Sequence, residues 1–213
     1  MQKPLRCHWI AALLLVMFST LGCAPVYQVK SPDPDTGLLP THLEVPADEI
    51  LTYIPKAKVR NVRFFLVRTA SGGIGNNQEF VQFFRGAVQQ LGIEQIVTSE
   101  ELTKMVLSSD LRDSVGNVTD PVALANISRE IGPFLILDAV QVHQGYGWFQ
   151  TRVRITDPED AERLLDINRI KLNWSNLDKE VNYPVLNVIK KWIDESRSLP
   201  SDDTSTTSKD LKV

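Results

Sequence analysis

Phe134-Leu135-Ile136-Leu137-Asp138-Ala139-Val140 is apolar at nearly every position rather than at every second one. Such a run marks a strand covered on both faces. Directly before it, Asp120-Pro121 opens a helix with proline in the tolerated first position. Leu124, Ile127, Ser128 and Ile131 give that helix its inward side, and Gly132 closes it. Working back toward the N-terminus, Asn61 to Thr69 reads as a second strand of the same kind, through Val62, Phe64, Phe65, Leu66 and Val67. A helix follows with Asn76 as N-cap and Glu79 three residues on. Phe80, Phe83, Phe84, Ala87, Val88 and Leu91 form one apolar face at helical spacing, and Gly92 ends it. Ile93 to Thr98 is a short strand, and Ser99 caps a helix with Glu100 and Glu101 in its first turn.

Toward the C-terminus the pattern changes to alternation. Gln144-Gly145-Tyr146-Gly147 turns the chain into Trp148 to Thr156, with Phe149, Val153 and Ile155 on one side and Gln150, Arg152 and Arg154 on the other. Asp157-Pro158-Glu159-Asp160 is a turn, and Leu164 to Trp174 returns. Its expected inward residues are Ile170, Leu172 and Trp174; Arg169, Lys171 and Asn173 face out. A last helix runs from about Pro184 to Ser196 on Val185, Val188, Ile189, Trp192 and Ile193. The fold class is therefore α/β, of the α+β kind. One domain holds a mixed central sheet with helices, ending in an antiparallel meander and a C-terminal helix.

From about Asn61 to Arg197 this order resembles the periplasmic α/β domain shared by the TolB N-terminal domain, CsgG, PelC and LpoB. The passage Ala123 to Val140, the strand ending at Asp157 before an acidic turn, and the closing helix around Trp192 carry the resemblance. It implies a non-catalytic envelope assembly factor, one that relatives suggest can assemble into homo-oligomers. Fold does not by itself transmit function. The long membrane hairpins of CsgG-type pores have no counterpart here, because the turn at Gly145 is short.

The first 22 residues have a different character. Lys3 and Arg6 precede an unbroken apolar run from Trp9 to Phe18. A charged start and an apolar stretch of roughly 7–15 residues make a secretory signal rather than a membrane span, which needs about 20. The exit Gly22-Cys23 resembles the lipobox of bacterial lipoproteins, although Thr20 stands where that motif usually has a large aliphatic residue. The resemblance implies acylation of Cys23 and cleavage before it. Ala24, in place of an aspartate, implies sorting to the outer membrane, with the domain facing the periplasm. The expected divisions are thus a signal at 1–22, the lipidated Cys23 with a proline-rich tether at 23–58, the domain at 59–198 and a polar disordered tail at 199–213. In the tether, Leu43-Glu44-Val45-Pro46 is the one piece that suits an edge strand. Extended at about 3.1 Å per residue, roughly 35 tether residues reach at most about 110 Å.

Without the signal the chain has 21 basic and 26 acidic residues. A mildly acidic product argues against a general nucleic-acid binder. Cys7 leaves with the signal and Cys23 is claimed by lipid, so no thiol pair remains for a disulfide. Gly72, Gly73 and Gly75 form a glycine-rich candidate ligand loop, but it lacks the third glycine of a dinucleotide fingerprint and the Gly-Lys-Ser/Thr of a P-loop. His143 stands alone, too few for a zinc site. Asp157, Glu159 and Asp160 suit a solvated turn better than a calcium site, and Ser71 has no histidine partner in sight. No cofactor, metal or catalytic residue is expected. The candidate docking surface is Arg152, Arg154, Arg169 and Lys171, expected on one face of the last hairpin and suited to an acidic partner or anionic headgroups. The leading expectation is an accessory of a secretion, polysaccharide-export or peptidoglycan-synthesis complex. The alternative is a small-ligand-binding or stress-sensing lipoprotein using the glycine loop.

Overall fold

The structure, a computed structural model, describes residues 29–73, 78–91, 96–108, 120–172 and 182–200. The signal and Cys23, the Asn76 cap, Gly92 and the tail beyond Pro200 lie outside those residues. The described strands are β1 (Ile50–Tyr53), β2 (Phe64–Gly73), β3 (Ile96–Val97), β4 (Phe134–Gly145), β5 (Trp148–Thr156) and β6 (Arg163–Leu172). They form one sheet in the order β1-β6-β5-β4-β2-β3. β2 runs parallel to β3 and β4, and β4, β5, β6 and β1 are antiparallel in turn. The helices are α1 (Gln78–Gln90), α2 (Ser99–Ser108), α3 (Pro121–Ile131) and α4 (Tyr183–Ser198). This is the mixed α+β sheet, with meander and C-terminal helix, that the sequence predicts.

Apolar residues of both parities in β2 and β4 feed two cores. On one face Phe65, Val67, Leu135, Leu137 and Ala139 pack with the apolar stripes of α1 and α4. On the other, Phe64, Leu66, Phe134 and Ile136 meet Leu102 and Val106 of α2 and Leu124 and Ile127 of α3. Phe64 and Phe134 stack at 4.9 Å across the parallel pair. Trp192 is fully buried, and its indole N–H donates to the Ile54 carbonyl at 3.1 Å. Burying each such side chain contributes about 1.5–3 kcal/mol.

Local signals account for the helix ends. Asp120 accepts from the Val122 N–H at 3.2 Å, and Gly132 leaves α3 at φ 104°. The cap of α2 is Thr98, one residue before the expected Ser99. Thr98 Oγ1 accepts from Glu101 N at 3.2 Å, while Glu101 Oε2 accepts from Thr98 N at 2.7 Å. That reciprocal pair satisfies two donors at once.

Two boundaries differ from expectation. Residues 57–61 form a 3-10 turn that buries Val59, so the first long strand starts at Phe64 rather than Asn61. More consequentially, residues 29–58 are folded against the domain. Val29 and Leu39 are buried, and the Lys30 N–H donates to Tyr183 Oη at 3.0 Å. Leu39 and Asn187 bond reciprocally, N–H to Oδ1 at 2.8 Å and Nδ2 to the carbonyl at 2.9 Å. The edge strand is β1 rather than Leu43–Pro46.

Candidate functional site

β5 alternates as expected, with Phe149, Thr151, Val153 and Ile155 on the core face and Gln150, Arg152 and Arg154 on the opposite one. β6 does not carry the expected phase. Thr156 pairs with Arg163 and Ile155 with Leu165, so Leu164 is an extra residue in the ladder. A bulge of that kind shifts the inside-outside alternation. Leu165 and Ile167 therefore face the core opposite Ile155 and Val153. Arg169, opposite Thr151, lies on the core face and is 2% exposed, whereas Ile170 is 44% exposed on the other. The four expected docking residues are thus split. Arg152 and Arg154 share one face; Arg169 and Lys171 belong to the other.

What joins Arg152 and Arg154 is Asp166, a residue outside the expected set. Arg152 Nε and Nη2 donate to its two oxygens at 3.1 and 2.9 Å. Arg154 Nε lies 3.5 Å and Arg163 Nη1 3.2 Å from the same carboxylate. Asp166 is fully buried under them, while the Arg163 side chain is 52% exposed. Burial alone would raise its pKa. The Arg152 hydrogen bonds and the charges of Arg152, Arg154 and Arg163 outweigh burial and hold the carboxyl below its ordinary value. Three guanidiniums on one carboxylate leave two positive charges uncompensated within the cluster.

The same face is not covered by α2 and α3 over its β5–β6 part. Val140, Trp148 and Ile170 are exposed there, and Arg68 pairs bidentately with Asp138 at 2.6 and 2.7 Å beside them. On the core face, Arg169 Nε lies 3.8 Å from Glu49 Oε2. Burial raises the Glu49 pKa, opposed by Arg169, and burial lowers that of Arg169. Next to Arg169, Thr151 accepts from Gln141 Nε2 at 3.1 Å and donates to Asn182 at 3.4 Å.

The glycine-rich stretch is not a loop over its described part. Gly72 and Gly73 continue β2, paired with Val142 and His143, and Gly75 lies outside the described residues. A Cβ at Gly72 would meet nothing within 4 Å, so no close ligand approach depends on that glycine. His143 stacks on Phe149 at 4.5 Å. Asp157 is buried, paired with Lys58 and accepting from the Glu159 N–H at 2.9 Å. Among the described residues no three His, Cys, Asp or Glu converge as a metal site, and no helix is long and apolar enough to cross a membrane. A groove of about 560 Å³ lies between residues 33–45, β1 and α4, lined by Asp33, Leu43, Glu44, Tyr53, Val188 and Lys191 among others.

No protein-family model matches this sequence, and no curated protein matches it. Among solved structures the chain is similar to the LpoB C-terminal domain from Salmonella enterica, at 18% identity and a TM-score of 0.36, over 54% of this chain and 84% of that one. It is similar to the LpoB C-terminal domain from Escherichia coli at 16% identity and a TM-score of 0.34, over 53% of this chain and 82% of that one.

Proposed function

We propose that this chain is a lipid-anchored, periplasm-facing accessory protein of an envelope complex, and that it acts by docking rather than by catalysis. The signal and Cys23 supply the anchor. The observation that carries the docking role is the Arg152–Arg154–Arg163 cluster over Asp166. It is a rigid, electropositive patch on a sheet face that helices leave open, next to exposed apolar side chains. An acidic protein surface is its complement, because opposite potentials steer encounter and fix register. Arg154 and Arg163 are the residues to change, since the two-pronged Arg152–Asp166 pair then still neutralises the buried carboxylate. In-cell crosslinking followed by mass spectrometry tests this reading. One envelope complex should be enriched by the native chain and lost with Arg154→Ala/Arg163→Ala at unchanged abundance. Equal enrichment by both proteins rejects the arginine patch as the docking surface.

The groove against α4 supports a second reading, a small-ligand-binding protein. Its volume falls in the range of roughly 300–1,000 Å³ typical of ligand pockets. In this reading a ligand would lie against Tyr53, Val188 and Lys191, which line the groove, rather than at the glycine stretch. Saturable binding of a small molecule, abolished by Val188→Trp, would favour it over docking.

A further inference from the structure

The sheet has two chemically different ends. One carries the turn after β5, with Asp157, Glu159, Asp160 and Glu162. The other carries the β4–β5 turn, where the two hairpin strands themselves carry no acid next to the turn; Glu49 lies beside Arg169, and Asp178 and Glu180 occur in the sequence between β6 and α4. No Asp or Glu occurs from Ala139 to Thr156, nor from Ile167 to Leu177. Arg152, Arg154, Arg169 and Lys171 fall within those two stretches.

This hairpin end presents aromatic and aliphatic side chains to the outside. Tyr146 is 94% exposed at the tip, and Trp148 and Ile170 are about half exposed on the open face beside it. Tyr146 and Gly147 have φ of 48° and 76°, the signature of a tight two-residue hairpin turn. Asparagine or glycine suits the first of those positions better than tyrosine. Tyrosine and tryptophan on a cationic edge are the side chains that settle at the headgroup level of a bilayer.

The chain also enters the domain at this end. Asn182, at the start of α4, accepts from Thr151, three residues from Trp148. The next residue, Tyr183, accepts from Lys30 N. Val29 is buried there, six positions after Cys23. Six residues span at most roughly 20 Å in any conformation. A lipid on Cys23 would hold this end, not the acidic one, beside the bilayer.

We propose that the hairpin end formed by Tyr146, Trp148 and Ile170 rests on the membrane, with Lys171, beside the turn, facing anionic phospholipid headgroups. The surface is too small to bind a membrane firmly alone and acts by orienting an already tethered domain. This inference rests on the anchoring reading, and its test separates the two.

Full-length protein isolated from membranes is reconstituted into vesicles of phosphatidylglycerol and brominated phosphatidylethanolamine, the latter quenching nearby tryptophan. In parallel, cells are labelled with an alkyne palmitate. Quenching should fall about twofold or more with Trp148→Phe, the exposed tryptophan among the described residues. It should weaken in vesicles without the anionic lipid and in about 0.5 M salt. Palmitate label on Cys23 with no Trp148-dependent quenching would overturn the hairpin contact and leave the anchor intact. Quenching without label would uphold the contact and assign the tether to the apolar N-terminal segment rather than to a lipid on Cys23. Neither signal would reject both. A photo-crosslinker at position 146 that joins a protein in cells instead of lipid would overturn the proposal in favour of a protein partner. Trp148→Phe preserves the aromatic ring, and Tyr146→Ser provides a second variant with the same expected loss.

Discussion

Arg152 and Arg169 lie on adjacent strands one ladder position apart, and their side chains leave the sheet on opposite faces. The first is one-third exposed over Asp166; the second is buried against Glu49. Their substitutions should therefore differ in kind. Arg169→Ala leaves partly buried Glu49 without the charge 3.8 Å away; the two make no hydrogen bond, so the cost should be about 1–3 kcal/mol, below that of a well-made buried pair. The double change Arg169→Met/Glu49→Leu should recover most of that loss. Urea unfolding of the three variants against the native chain measures it. A cost below about 1 kcal/mol for Arg169→Ala would mean that the pair is solvated in solution.

Asp166 makes stability depend on acid. Its folded pKa is depressed, so its contribution is fully present above the unfolded value of about 3.9 and is lost as pH falls through the folded value. Unfolding free energy should drop from about pH 5 downward, and Asp166→Asn should flatten that decline while lowering stability at pH 7. Denaturant titrations at a series of pH values would show it. Parallel declines for the two proteins would assign the acid sensitivity to other carboxylates.

Asn187 is the clasp on residues 29–45. Asn187→Ala removes both bonds to the Leu39 backbone and leaves a buried amide unpaired, at about 1–3 kcal/mol. The loss should be local first. Hydrogen exchange at Leu39 should quicken, and protease should cut between Asp33 and Val45 before it cuts the sheet. Uniform acceleration across β4 would show instead that the segment unfolds only with the whole domain.

Tyr146 occupies a backbone conformation that costs an ordinary L-residue about 1–2 kcal/mol. Tyr146→Asn should raise the melting temperature of the chain without altering the β4–β5 register. A lower melting temperature would mean that the tyrosine ring packs usefully in solution.

The sequence reveals elements whose burial follows a period. Phe134–Val140, the Phe80–Leu91 stripe and the Val185–Ile193 stripe all read directly, because packing on a sheet demands that spacing. The face of β6 was not legible. Leu164 and Leu165 place apolar side chains on both parities, and the bulge that chooses between them has no marker in composition. Asp166 is hidden for the same reason: in the wrong phase it faces away from Arg152. A net excess of basic residues on β5, with one aspartate opposite, was the available signal. The packing of residues 29–45 was hidden too. It has no repeat, and it is held by two isolated apolar residues and by side-chain bonds to the backbone from α4, some 150 positions away.

Under the proposed anchoring at Cys23, the bond from Lys30 to Tyr183 also sets a concentration. A lipid-anchored domain on a leash of about 20 Å searches a half-sphere in which one partner molecule amounts to on the order of 0.1 M; a leash of about 110 Å would dilute the same partner more than 100-fold. By clasping its proline-rich leader to α4, the domain trades range for encounter frequency. With the proposed anchor on Cys23, partners seated in the same membrane would then be met often enough that even millimolar contacts stay occupied.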